Sequence, residues 1–389
     1  MKLVTAVQQI EPEMVAWRKY LHANPELGFE ELETARFVSQ KLEEFGIEVA
    51  QGVGGPGVVG TLHGTGGPGL AIGIRAELDA LPMTEAKSRP HASRHPGRMH
   101  ACGHDGHMAI LLGAAKTLAA NPQFSGTVRF IFQPAEEGRG GARAMLNDRL
   151  FDKFPCDEIY ALHNSERNFG QVVIYEAVVA AAADRFEIEI NGRGGHAATP
   201  HLTVDPIPIA ARLLLAIEAL PGRLINVSQP AIVTVGKFQA GEAFNTIPDV
   251  AKLAGTVRCF DPTVRDKLEY HIRKITLAYA GMYGASATIN YESPFAPTVN
   301  WASQAKFAGQ AAESIVGKEN MLWNPTPEMG SEDFSFMLQK RPGCYFLLGQ
   351  NDIDHQAAVH DTNYDFNDAI LTIGASIWVR LVEQRLKSK

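Results

Sequence analysis

The 389-residue sequence has no stretch approaching the ~18 apolar residues that a membrane-spanning helix needs. Its opening, MKLVTAVQQIEPEMVAW, interrupts the apolar positions with Gln, Glu and Pro, so no secretory leader is expected and a cytoplasmic location is. Basic runs are missing too. With 36 Lys and Arg against 43 Asp and Glu, the formal net charge is −7, which argues against nucleic-acid and membrane partners. Cysteine is scarce and scattered (Cys102, Cys156, Cys259, Cys344), so free thiols or a metal ligand are expected rather than a disulfide framework. Internal repeats and low-complexity tracts are absent. What remains is ordinary globular composition, 45% apolar and 20% charged, in a chain too long for one core and suited to two domains.

LETARFVSQKLEEFGIEV places Ala35, Val38, Leu42 and Phe45 at helical spacing before Gly46, a helix with a stop. Short apolar runs bounded by turn residues (58–62, 70–74, 127–133, 158–163) read as strands of a buried sheet. The apolar run 108–119 reads as a helix between two of them, and the alternation suggests an α/β sandwich. Near residue 185 the pattern changes. RFEIEIN alternates apolar and polar; a helix at about 206–219, strands IVTVGKF and KLAGTVRCF, a helix at about 264–282 and the strand ATINYE follow. That order is β-α-β-β-α-β, a ferredoxin-like α+β unit. A helix at 303–316, the strand CYFLLG and a C-terminal helix from about 367 then resume the α/β pattern. The expected organisation is a two-domain α/β protein: 1–184 with 296–389 as one domain, and 185–295 inserted into it.

The chemistry concentrates in a few places. MHACGHDGH (99–107) brings Cys102, His104, Asp105 and His107 together just before the apolar helix. On an extended loop Cys102 and His104, two apart, point the same way, and thiolate and imidazole are donors that zinc accepts. One Cys-x-His pair is weak evidence, but five of the 13 histidines fall between His91 and His107. In FIFQPAEEGRGG a strand runs into Pro134 and two adjacent glutamates, whose mutual repulsion a cation would relieve. Either Glu136 or Glu137 then ligates metal while the other handles protons. His163 ends the strand EIYALH, and His360 precedes the polar loop before the last helix. Each is ambiguous alone. Together they give five candidate donors at loop or strand ends of one domain, more than the three a catalytic zinc usually takes, and they suit a two-metal site.

The motifs HANPELGFEE, RAELDALPM, MHACGHDGH, FQPAEEG, LHN, GRGGHAATPH, FNTIPD, GSEDF and HDTNYDFND occur in the order seen in the aminoacylase/carboxypeptidase family of dinuclear metallohydrolases. The sequence resembles its hippurate hydrolase and auxin-conjugate amidohydrolase branch over about residues 15–385. The resemblance implies that Cys102, His104, Glu137, His163 and His360 are metal ligands and that Glu136 is the general base. It implies that Asp79 orients a ligand, that His196 reaches a neighbouring subunit's site, and that Asn245 and Arg258 contact substrate. It also implies a catalytic domain with an inserted lid and dimerisation domain, a homodimer or homotetramer, two divalent ions per subunit, and hydrolysis of N-acyl amino acids. A sulfur ligand favours zinc, cobalt or nickel, with manganese also compatible.

Three departures stand out. Glu77 occupies a position where relatives carry aspartate, SERNFG follows Asn164 where many place a proline, and His355 is an additional histidine five residues before His360. Rival readings are a cysteine hydrolase built on Cys102, a dipeptidase or a deacetylase of N-acetylated intermediates on the same site, and an inactive metal-binding homologue.

Overall fold

A computed structural model describes residues 1–86 and 88–387. The chain divides into two compact units: 1–179, 299–327 and the stretch from 333 onward form the larger, and 180–298 with 328–332 form the smaller. The sequence reading leaves 328–332 in the larger domain. It groups with the smaller unit because Glu328 bridges Ala180 and because Arg258 donates to the Met329 carbonyl and the Ser331 hydroxyl.

The larger unit is built on an eight-stranded sheet. Its four middle strands, Thr127–Gln133, Ala71–Glu77, Glu158–Asn168 and Gly343–Asn351, run parallel. Gly57–His63 and Glu48–Val53 extend one side antiparallel, and Val172–Ile174 and Met321–Trp323 complete the other. Consecutive residues of a strand face opposite sides of a sheet. Ala71–Glu77 and Gly343–Asn351 are buried almost throughout, so both faces are covered, and this is why 71–74 and 344–348 within them read as apolar runs. The central helix is His104–Ala120, in which every residue from His104 to Ala115 is buried. It packs against the helices Glu11–Ala23 and Leu371–Arg385. Glycines allow the close approach: a Cβ on Gly106 would meet the Phe366 ring at 2.2 Å, and one on Gly113 would meet Met14 at 2.6 Å.

The smaller unit is a four-stranded antiparallel sheet in the order Ala231–Ala240, Val250–Cys259, Ala182–Asn191, Ser286–Phe295. Numbered along the chain this is 2-3-1-4, the ferredoxin-like order that the β-α-β-β-α-β reading implies. Phe186, Ile188 and Ile190 form a core with Ile209, Leu213 and Ile217 of the helix Pro206–Glu218, and with Val264, Leu268 and Ile272 of Pro262–Met282. Both helices begin on proline after an aspartate cap: Asp205 accepts from Ile207 N–H and Asp261 from Thr263 N–H. All four cysteines are free and buried. Among the described residues no helix is long and apolar enough to cross a membrane.

Candidate metal centre

The parallel strands place the candidate residues along one edge. Glu77 lies opposite Gln133 and Arg75 opposite Ala161, so His163 stands level with the ends of the strands Ala71–Glu77 and Thr127–Gln133, although its own strand runs on to Asn168 and does not end at His163 as the sequence suggests. In open α/β sheets this carboxyl edge is where ligands collect. After Gln133, Pro134 cannot donate to the ladder, Ala135 turns with φ +53, and Glu136 and Glu137 follow. The cluster at 99–107 is organised differently from its reading as an extended loop. The central helix starts at His104, four residues earlier than the apolar pattern suggests, and Gly103 before it is left-handed at φ +95. Cys102 and His104 therefore converge through a glycine turn and not through period-two spacing.

The five candidate donors do come together. Cys102, His104 and His163 offer donor atoms all within 4.8 Å of one another, and so do Cys102, Glu137 and His360. Glu136 joins His104 and Glu137 in a third such group. Cys102 Sγ is 3.4 Å from His163 Nε2, and Glu137 Oε1 is 3.2 Å from His360 Nε2. The imidazoles are aimed. His104 Nδ1 donates to the Asp79 carbonyl at 2.8 Å, and His163 Nδ1 donates to the Asn164 carbonyl at 2.7 Å. Each thereby leaves its Nε2 as the ring nitrogen available to the cluster. Asp79 Oδ2 accepts from Glu137 N–H at 2.9 Å. Asp79 thus bonds the backbone of Glu137 and the ring of His104.

The electrostatics ask for a cation. Burial, then Glu137, Glu136 and Glu77, push the Cys102 thiol far above its usual range. Burial would lower His104, but Asp79, Glu77 and Glu137 outweigh it and raise it to about 10. Burial and His107 lower His163 to about 3, leaving a neutral ring with a free lone pair. His104 Nε2 is buried without a hydrogen-bond partner. A sulfur, three imidazole nitrogens and a carboxylate, gathered where negative charge is in excess and a ring nitrogen is unpartnered, fit divalent metal. They do not fit a nucleophilic cysteine, which needs a lowered pKa.

A family model described as peptidase family M20/M25/M40 matches residues 73–384. The chain belongs to this family. The match bears out the resemblance carried by the motifs. A hippurate hydrolase of Campylobacter jejuni is 40% identical over all of both chains. An IAA-amino acid hydrolase of Arabidopsis thaliana is 38% identical over 97% of this chain and 87% of its own. The crystal structure of a Bacillus subtilis protein, described as a dinuclear metal-binding peptidase of the M20 family, superposes with a TM-score of 0.82. It is 30% identical and covers 98% of this chain and 100% of its own.

Several supports of this M20 site escape a reading of motifs. His107 Nδ1 bonds Glu77 Oε2 at 2.8 Å and its Nε2 accepts from Asn164 N–H at 3.0 Å, while Asn164 Nδ2 donates to Tyr364 Oη at 2.9 Å. Glu77 also receives Arg75. Glu77 is thus part of a buried brace with Arg75 and His107, and it also lies within 4.8 Å of donor atoms of His104 and His107. Asp333, in GSEDF, accepts from Gln133 Nε2 at 2.7 Å and Ala142 N–H at 2.9 Å, and its own N–H lies 3.4 Å from Glu136 Oε1. Asp105 is engaged elsewhere: its Oδ2 bonds His22 Nδ1 at 2.8 Å. His355 Nδ1 bonds Asp352 Oδ1 at 2.8 Å in a local turn and joins no group of donors among the described residues.

The remaining candidates are in the smaller unit. His196 is exposed in a two-residue strand paired with Thr246–Ile247. Its Nδ1 accepts from Ala198 N–H at 3.0 Å, so Nε2 carries the proton and is a donor. Asn245 is its neighbour, accepting from Ala197 N–H at 3.1 Å through the carbonyl. Arg258 is elsewhere, near the far end of the strand Val250–Cys259. The strand begins at Val250, four residues along the chain from Thr246, the partner of His196, and eight residues of it, roughly 26 Å at about 3.3 Å per residue, separate Val250 from Arg258.

Proposed function

We propose that this chain hydrolyses the amide bond of N-acyl amino acids, releasing a carboxylic acid and a free amino acid. The observation that carries the reading is the pair of overlapping donor groups sharing Cys102, with Glu136 beside His104 and Glu137. Cys102, His104, Glu137, His163 and His360 would hold two divalent ions, zinc foremost and manganese, cobalt or nickel compatible. Such ions, when bound, supply the positive charge that acidifies water and polarises a carbonyl. Glu136 takes the proton of the attacking water as it adds to the amide carbon, then returns it to the departing nitrogen. His196 Nε2–H donates to the oxygen that becomes negative. Arg258 and Asn245 hold the substrate's free carboxylate. A substrate of this class is far shorter than the run of strand between Val250, just beyond the ladder that holds His196, and Arg258. If both touch it they come from different copies of the chain, which supports a homodimer or homotetramer through the smaller unit acting as lid.

The test is metal content per chain together with hydrolysis of hippurate, N-acetyl amino acids and dipeptides, for wild type and Glu136→Gln. The expected result is about two metals in both proteins, with turnover lowered about 10²–10⁴-fold in the variant. A preference within the panel separates acyl-amino-acid hydrolysis from dipeptidase or deacetylase activity. Wild type that takes up neither zinc, cobalt nor manganese overturns the proposal.

A further inference from the structure

We propose that Glu31 is a positioning residue that sets the turn carrying Glu136 and Glu137; this rests on reading those two glutamates as general base and metal ligand. The segment NPELGFEE (24–31) is among the motifs of the sequence, yet nothing above gives it a task. It lies directly against the turn after Gln133. Ala80 N–H donates to the Glu26 carbonyl at 2.8 Å, and Arg139 Nη1 donates to the Gly28 carbonyl at 2.9 Å. Gly28 comes so close that a Cβ on it would meet Ala135 Cβ at 3.1 Å and Arg139 Cδ at 3.0 Å. From the end of this segment the buried Glu31 carboxylate reaches Ala135 and accepts its N–H at 2.7 Å.

Ala135 is a fully buried alanine at φ +53, a left-handed conformation that the Cβ of an L-residue disfavours. φ is rotation about the N–Cα bond, so it is set only when both sides of that bond are held. Downstream, the Ala135 carbonyl accepts from Gly141 N–H at 3.0 Å and Asp79 accepts from Glu137 N–H at 2.9 Å. Upstream, Pro134 has no N–H to offer, and the bond to Glu31 holds the Ala135 amide itself. If Ala135 relaxed to negative φ, the peptide beyond it would rotate and swing Glu136 and Glu137 off the donor cluster. Burial, and then the nearby Asp79, raise the Glu31 carboxyl to about 8. Toward Ala135 the residue serves only as a hydrogen-bond acceptor, whichever its protonation state, a task an amide oxygen can do equally well.

Four variants test this: Glu31→Gln, Glu31→Ala, Ala135→Gly, and the double variant E31A/A135G. The readouts are amide exchange of the segment containing Ala135 in metal-free protein, zinc affinity by chelator competition, and kcat and KM for hippurate at saturating metal. Glu31→Gln keeps the acceptor and should stay within about twofold of wild type. Glu31→Ala should speed exchange about tenfold. It should also weaken zinc about 10–100-fold and lower kcat with KM little changed. Ala135→Gly in that background should recover most of the loss, because glycine takes positive φ unaided. Glu31→Ala indistinguishable from wild type, or losses equal in E31Q and E31A with no recovery by A135G, overturns the proposal. Should E31A not fold, Gly28→Ala presses on Ala135 from the other side. Its loss of zinc affinity should likewise be relieved by A135G, and a loss that A135G leaves untouched counts against the turn. Wild type without metal removes the reading of the site, whereas the exchange measurement judges Glu31 by itself.

Discussion

At Gly103 the backbone stands at φ +95, and a Cβ would meet Asn164 Oδ1 at 2.2 Å and Tyr364 Oη at 2.8 Å. No side chain fits there without parting Cys102 from His104. Gly103→Ala should therefore weaken zinc binding about 10–100-fold and lower the melting temperature, read by chelator competition and calorimetry. Unchanged zinc affinity would show that the two donors do not depend on this turn. The donors themselves were legible because Cys, His and paired Glu are unusual at loop and strand ends of an apolar sheet. Their supports were not. Glu31, Glu77, His107 and Asp333 are ordinary polar residues in sequence, and what marks them is a backbone amide or a ring nitrogen at hydrogen-bond distance from chain far away.

The helix Leu371–Arg385 is tied to the start of the strand Glu158–Asn168 by one buried carboxylate. Glu158 receives Arg385 Nε at 2.9 Å, Gln304 Nε2 at 2.9 Å and Tyr160 Oη at 2.8 Å. Burial would raise this carboxyl, but the bonds from Arg385, Gln304 and Tyr160 outweigh it and hold it below the usual range. A depressed carboxylate stabilises the fold fully above its unfolded pKa, about 4.3, and loses that contribution as pH falls through the folded value. Arg385 is about one-third exposed (34%), so the pair is worth only about 1 kcal/mol. Arg385→Gln should lower the midpoint of urea unfolding at pH 6–8, and the gap to wild type should close as pH falls toward 3. A gap constant with pH would rule out the ion pair as its cause. Elements with a clear period, such as Leu32–Glu44 with Ala35, Val38 and Leu42 buried, could be read from sequence. Three-residue strands such as Val172–Ile174 and Met321–Trp323 could not, because only pairing across the sheet defines them. The start of the central helix was hidden because histidines and an aspartate look like loop until the core closes round them.

For the whole molecule, the placing of His196 and Arg258 in different sheets of the smaller unit turns function into a question of assembly. Glu136→Gln and His196→Ala should each be nearly inactive as pure proteins. After subunit exchange, half the dimers are mixed and each mixed dimer has one intact site, so activity should return to about a quarter of wild type. No recovery in a mixture whose exchange is verified by mass would place His196 on its own chain's site or on none. The sequence by itself determined the two kinds of sheet and the residues able to hold metal, because burial period and donor chemistry are local properties of a chain. Only the tertiary structure decided that Cys102 and His104 meet through a left-handed glycine, that Ala135 is held by Glu31, and that His196 and Arg258 stand in different sheets of the smaller unit. Those are matters of distance between residues remote in sequence, and distance is set by packing.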